Sequence, residues 1–256
     1  MYSSAPMQSV LALTRSTIGQ KVVVAITGVI LFGFVIGHLL GNLLLFGGPE
    51  IYNAYAAALK GNPPLLWGTR ITLLVSVVLH IVFTMKLAAR NRGARKVAYK
   101  QPRKDLKATY AGRTMVLSGP LLLAYIIFHI AHLTAPGLDL GGAHDHHDVY
   151  GNAIMGFRVW WVGGIYMFAS GLLGLHLFHG AWSALQSMGL QHPRYDMLRQ
   201  RIAIGLALFI SLGNFAIPLT VLLRVTGTDA QLAESHQLTQ AAQVAEQGDT
   251  LDSEDH

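Results

Sequence analysis

The sequence predicts an all-α integral membrane protein, a bundle of five transmembrane helices with a cytoplasmic N-terminus and an external C-terminus. Of its 256 residues, 52% are hydrophobic and only 12% are charged, and the mean hydropathy is positive, which lies outside the usual range of soluble domains. Five apolar runs are long enough to cross about 30 Å of hydrocarbon, which takes roughly 20 helical residues. They cover approximately 22–46, 65–88, 114–134, 159–185 and 202–223.

The first span follows Arg15 and Lys21. It runs for about 25 residues, which is too long for the apolar region of a secretory signal peptide, so we expect it to be retained. Short basic loops stay on the cytoplasmic side of a membrane. Fifteen Lys and Arg residues fall on the side of the N-terminus and four on the other side, namely Lys60, Arg70, Arg158 and Arg224. This asymmetry predicts that the N-terminus lies on the cytoplasmic side of the membrane.

The chain is predicted to form one bundle with short loops over 1–226, followed by an acidic, polar and disordered tail over 227–256. The basic connection 86–113 has two interpretations that both stay open. It sets the orientation and attracts anionic lipid, or it docks a cytoplasmic subunit through complementary charge. Membrane topology explains the basic charge, so a nucleic-acid partner is not expected.

Histidine is the informative residue type, because each of the first four spans carries at least one inside its apolar run, where polar side chains are costly. The segments are FVIGHLLGN with His38, VSVVLHIVF with His80, YIIFHIAHL with His129 and His132, and GLHLFHGAW with His176 and His179. A single histidine of this kind is most often hydrogen-bonded to a neighbouring helix, and that interpretation stays open for each one alone. Its repetition in four helices indicates a common role.

The depth of these histidines follows from the rise of a helix and the direction of each span. His38 and His129 lie about four and five residues beyond the midpoints of outward-running helices, whereas His80 and His176 lie beyond the midpoints of inward-running ones. Haem iron accepts two axial imidazoles, while zinc needs four ligands at one point. Two pairs at two depths favour two b-type haems. Without cysteine, these are held by coordination and packing.

Three segments carry a family resemblance in motif and spacing: IGQKVVVAITGVILFGFVIGHLLGNLLLF, GPLLLAYIIFHIAHL and LHLFHGAWSALQSMGL. Over roughly residues 10–225 the chain resembles the di-haem, five-helix cytochrome b anchor of succinate:quinone oxidoreductases and quinol:fumarate reductases, the complex II group. The resemblance implies one iron ligand from each of the first four helices. His38 would pair with His129 at the outer haem and His80 with His176 at the inner haem.

The resemblance also implies a choice within each histidine doublet. The family ligand in the third helix stands ten residues after a glycine, here Gly119, which selects His129. The ligand in the fourth helix lies four residues before a glycine, here Gly180, which selects His176. His132 and His179 are then expected to contact haem propionates or the ligands, and an interhelical hydrogen bond is an equal alternative for both.

Haem propionates at membrane depth need cationic partners near the helix ends. The candidates are Arg15, Lys21, Lys86 and Arg113 on the inside and Arg70 and Arg158 on the outside, although snorkelling explains each of them equally well. The loop GGAHDHHDVY, with His144, His146 and His147, has two interpretations. The favoured one is a solvated loop, and the other is adventitious binding of a transition metal.

By resemblance, the partners are a flavoprotein and an iron–sulfur protein on the cytoplasmic side, with membrane lipid around the chain. No catalytic residue is assigned, because the chain itself carries no flavin or dicarboxylate motif. It is expected to act as a subunit of the enzyme in the inner membrane and to pass electrons to or from a quinone, menaquinone or ubiquinone. Two alternatives remain: the haem b subunit of a membrane hydrogenase or formate dehydrogenase, and a transporter in which histidines relay protons.

Overall fold

The computed structural model describes residues 15–93, 110–134, 140, 145–187, 189 and 192–254, and these residues form helices and turns with no strand among them. The α-helices are α1 (Thr17–Leu43), α2 (Pro49–Lys60), α3 (Pro63–Gly93), α4 (Tyr110–Leu133), α5 (Val149–Arg158), α6 (Trp160–Ser187), α7 (Asp196–Leu222) and α8 (Asp229–Glu254). Short 3-10 turns occupy Leu44–Gly47 and Pro193–Tyr195. The prediction of an all-α protein is confirmed.

Four of the described helices are long and apolar enough to cross a membrane: α1 with the turn that follows it, α3, α6 and α7. The third predicted span corresponds to α4, whose described apolar part, Leu117–Leu133, is shorter than these four. The chain therefore has the character of a membrane protein. The count of five spans and the orientation of the termini stay predictions.

The long helices expose much of their apolar surface. At most 28% of the most apolar stretch of each of the four candidate spans is buried inside the protein, and Leu74 and Trp160 are 66% and 78% exposed. Much of the apolar surface of these helices therefore faces outward, as is expected of helices that contact lipid.

The connections between spans are not the short loops predicted from the sequence. α2 lies between α1 and α3, and α5 directly precedes α6. α2 begins at Pro49, a favoured residue for the first helical turn. It follows Gly48, whose φ of 94° is a conformation that glycine adopts readily.

The tail also differs from the disordered segment that was predicted for 227–256, because its described residues form α8. This helix packs against α2 and α5. The chain turns back after α7 through Arg224 and Gly227, which have φ of 58° and 68°. A Cβ atom at Gly227 would lie 2.5 Å from Cδ1 of Ile154, so the close approach to α5 requires glycine there.

The chain divides into two compact units. The first unit comprises Met1–Ile36, Trp67–Val116 and Leu175–Leu208, and the second comprises Gly37–Leu66, Leu117–Gly174 and Phe209–His256. α8 belongs to the second unit, and the predicted domain boundary at 226/227 stays a prediction. Each unit contains histidines from different helices: His80, His176 and His179 in the first, and His38, His129 and His132 in the second.

Candidate functional site

In the second unit, α1 and α4 bring two histidines close together. The ring centroids of His38 and His129 are 5.8 Å apart, and the ring planes are nearly perpendicular at 86°. Both side chains are half-buried. They lie 91 residues apart in the sequence, so the pair exists only because two helices converge at this level.

Tyr166 of α6 joins this pair to the second histidine of α4. Its hydroxyl oxygen is 3.2 Å from Nδ1 of His129 and 2.9 Å from Nδ1 of His132. Tyr166 is only 5% exposed, and its ring packs edge-on against Tyr125 at 5.2 Å between centroids. The tyrosine therefore holds the Nδ1 side of both histidines.

The surroundings of His132 differ from those of His129. His132 is 5% exposed, and its ring stacks on Phe128 at 5.7 Å between centroids. Its Nε2 side faces the backbone of α5, because a Cβ atom at Gly156 would lie 2.4 Å from that nitrogen. With one nitrogen on Tyr166 and the other against Gly156, His132 is enclosed on both sides, whereas His129 faces His38.

In the first unit, α3 presents His80 to α1. Nδ1 of His80 is 3.2 Å from the hydroxyl of Thr27. The same hydroxyl lies 2.8 Å from the carbonyl oxygen of Val23 and 3.2 Å from that of Val24. Thr27 thus contacts the Nδ1 side of His80, and Nε2 is the ring nitrogen on the other side.

The other histidines of the first unit lie on α6. His176 is within electrostatic range of His80 on α3 and of His179 on its own helix. α1 approaches His80 closely at Gly28, where a Cβ atom would lie 3.4 Å from Cε1 of the imidazole. The first unit thus contains His80 and His176 near each other, on α3 and α6.

His38 and His129 offer two imidazoles from different helices, which is the donor set that haem iron accepts. An imidazole nitrogen bonds a metal at about 2.0 Å, so two rings that bind one ion from opposite sides have centroids about 6 Å apart. The measured separation for His38 and His129 is 5.8 Å. The two side chains therefore suit a haem in their chemistry and in their spacing.

Three cations lie at one cleft of the first unit, which has a volume of about 410 Å³ and is lined by Arg15, Gln20, Lys86, Ala89 and Arg90. Arg90 donates to the carbonyl of Arg15 at 3.2 Å and to the hydroxyl of Thr17 at 3.4 Å. Two of the cations predicted to meet haem propionates, Arg15 and Lys86, are thus neighbours. Lys21 is exposed.

The remaining predicted cations have other surroundings. Arg70 is exposed and lies over the ring of Trp67 at 5.1 Å. Arg158 donates to the carbonyl of Gly227 at 2.8 Å and pairs with Asp229 at 2.6 Å, so it holds the turn before α8. Its Nε is buried without a hydrogen-bond partner among the described residues. The side chain of Arg113 lies outside the described part of the chain.

The loop histidines form no metal centre in the described residues, where no group of three or more His, Cys, Asp or Glu residues could hold an ion. His144 lies outside those residues. The carbonyl of His146 accepts a hydrogen bond from Lys60 at 2.5 Å, and the amide of His147 donates to Asp145 at 2.7 Å.

Two residues of the site were missed by the sequence analysis, Thr27 and Tyr166. Each has a hydroxyl inside an apolar helix, and polar groups at such positions usually have partners on other helices. That signal is weak, because a threonine also satisfies its own helix. In comparisons with protein-family models, curated proteins and solved structures, nothing matched this chain.

Proposed function

We propose that this chain is a di-haem cytochrome b subunit that anchors a succinate:quinone oxidoreductase or quinol:fumarate reductase in the membrane. It carries electrons between an iron–sulfur partner and membrane quinone. The observation that carries the proposal is the pairing of His38 and His129 at a ring separation of 5.8 Å, with the Nδ1 of His129 held by Tyr166. Two imidazoles from two helices, one of them held at its outer nitrogen, are the donor set that haem iron accepts.

The first unit supports a second site of the same kind. His80 is held at Nδ1 by Thr27, as His129 is held by Tyr166, and His176 lies within electrostatic range of it. Two sites with the same chemistry, each within its own compact unit, suit a relay of electrons. The four ligands of the proposal are therefore His38 and His129 in one site and His80 and His176 in the other.

When bound, haem supplies a centre that accepts and releases one electron. The chain's own residues supply the rest. The paired histidines would hold the haem, and the hydroxyls of Thr27 and Tyr166 would orient one imidazole in each pair. The apolar spans keep water away from the sites, and the cations Arg15 and Lys86 at the cleft of the first unit stabilise carboxylate groups.

Partners and topology are part of the proposal. Five spans, including α4, cross the inner membrane with the N-terminus inside, and the basic segment 86–113 faces a cytoplasmic iron–sulfur protein and the flavoprotein attached to it. Only the ends of that segment lie in the described part of the chain. The quinone, menaquinone or ubiquinone, binds from the membrane.

The test is the haem content of the purified protein. A pyridine haemochrome assay should give two haem b groups per chain, all extractable with acid and acetone because no cysteine is present to attach them. No haem at all would contradict the proposal and favour a proton-coupled transporter. One haem per fully loaded chain would contradict the two-site arrangement.

The partners separate the complex II assignment from the other haem proteins. The complex should contain a flavoprotein and an iron–sulfur protein and should reduce quinone with succinate or fumarate with quinol. Co-purification with a hydrogenase or formate dehydrogenase, together with electron transfer from hydrogen or formate, would contradict the assignment while leaving the haem sites intact.

A further inference from the structure

Tyr166 is the only side chain of α6 whose hydroxyl contacts histidines on α4 in the described part of the chain. It approaches Nδ1 of His129 and Nδ1 of His132, which lie three residues apart on one helix. A phenol has one proton to donate and an oxygen that accepts. It can therefore donate to one of the two histidines only and must accept from the other.

The direction of this pair of hydrogen bonds follows from the role of His129, so the inference rests on the proposed function. An imidazole that binds iron through Nε2 carries its proton on Nδ1. His129 then donates to the oxygen of Tyr166, and Tyr166 donates its own proton to Nδ1 of His132. The proton of His132 consequently lies on Nε2, on the side that faces Gly156.

We propose that Tyr166 and His132 form a hydrogen-bond relay that positions His129 and sets the electron density at the outer haem. A ligand histidine that donates its outer N–H becomes more basic and fixes its ring orientation. Donation from Tyr166 to His132 strengthens the phenol oxygen as an acceptor, since hydrogen bonds in a chain polarise one another. A more basic ligand stabilises ferric iron, so the relay lowers the reduction potential of this haem.

Burial adds to the effect of the relay. Tyr166 and His132 are each 5% exposed, so water cannot replace either partner. The neighbouring tyrosine offers a comparison within the same site. Tyr125 packs against the ring of His129 at 5.8 Å between centroids and against Tyr166, yet it makes no hydrogen bond to either among the described contacts. Its hydroxyl should not affect the iron.

The experiment compares Tyr166→Phe with Tyr125→Phe, which removes a hydroxyl from the adjacent ring. Low-temperature electron paramagnetic resonance and potentiometric titration are the readouts. The outer haem is identified as the signal that His38→Ala removes. In Tyr166→Phe, that signal should shift and the potential of the same haem should rise, while the inner haem stays unchanged. Tyr125→Phe should leave both haems as in the unmodified protein.

A second variant covers the case in which Tyr166→Phe releases the outer haem. His132→Leu removes the acceptor at the end of the relay, and it should shift the same signal and potential in the same direction by a smaller amount. Equal spectra and potentials for Tyr166→Phe and Tyr125→Phe would overturn the relay. Loss of the outer haem in His132→Leu would also overturn it, because His132 would then be the ligand. If Tyr166→Phe releases the haem, a His132→Leu protein with unchanged spectra and potentials would also overturn it.

Failure of the relay and failure of the proposed function are distinguishable, because the unmodified protein is assayed first. Absence of haem there contradicts the function itself. If the protein holds two haems, and His38→Ala removes one of them but neither Tyr166→Phe nor His132→Leu alters it, the relay alone is overturned.

Discussion

The hydroxyl of Ser235 donates a hydrogen bond to the carboxylate of Asp148 across 87 residues of sequence. Asp148 is 3% exposed and Ser235 is fully buried. The same carboxylate accepts from the amide of Gly151 at 2.7 Å and from the side chain of Asn53 at 3.3 Å. One aspartate therefore connects α2, α5 and α8, and it caps the N-terminus of α5.

Replacing this aspartate should release α8. Asp148→Ala leaves the buried hydroxyl of Ser235 and the buried amide of Gly151 without their carboxylate acceptor, and each loss of this kind costs about 1–3 kcal/mol. We expect faster proteolysis within 229–254 and faster amide hydrogen exchange in α8. Asp229→Asn is the control, because Asp229 makes a surface ion pair with Arg158 worth about 1 kcal/mol or less. Equal protection of α8 in both variants would contradict this role for Asp148.

The six histidines of the spans should separate into ligands and neighbours. His38→Ala and His129→Ala should each remove the low-spin signal of one haem, and His80→Ala and His176→Ala that of the other, because each leaves an open coordination position. His132→Ala and His179→Ala should keep both signals, with losses of roughly 10–100-fold in haem affinity or activity at most. The measurement is electron paramagnetic resonance of the six variants. If His179→Ala abolished a signal that His176→Ala retained, the choice of ligand in α6 would be wrong.

Thr27 should act on the inner haem alone. Thr27→Val keeps the shape of the side chain but removes the hydroxyl that contacts Nδ1 of His80, so the signal of the inner haem should shift. The matched control is Thr220→Val in α7, whose hydroxyl also donates to its own helix, at Ala216, but has no described contact with a histidine. Identical spectra for the two variants would show that Thr27 does not orient His80.

Gly156 should be sensitive to even a single methyl group. In Gly156→Ala the new Cβ would lie 2.4 Å from Nε2 of the buried His132, and such overpacking costs about 1–3 kcal/mol. Displacement of His132 also disturbs Tyr166, so the outer haem should be lost at a lower temperature. Gly205→Ala is the control, because nothing lies within 4 Å of a Cβ there. Equal thermal loss of haem absorbance in the two variants would contradict this prediction.

The membrane character and the candidate histidines could be predicted from the sequence. Apolar runs of about 20 residues have few stable structures other than helices in lipid, and a histidine in such a run is conspicuous because it is costly there. The structure agrees on the helices, and it brings His38 next to His129. The α4 span remains shorter in its described apolar part than the sequence indicated.

The helices outside the spans could not be predicted in the same way. α2, α5 and α8 are short or polar. Their packing depends on partners far away in the chain, as the contact of Ser235 with Asp148 illustrates. The polar composition of α8 predicts a solvated tail. It does not reveal that Ser235, one of the polar residues, bonds the buried carboxylate of Asp148.

The sequence by itself determined which segments prefer lipid and which side chains are out of place in it, since both depend on local hydrophobicity. Only the tertiary structure decided how His129 differs from His132. Both lie in the same apolar run of α4, less than one helical turn apart. What separates them is Tyr166 and Gly156, contributed by other helices, and no local property of α4 contains that information.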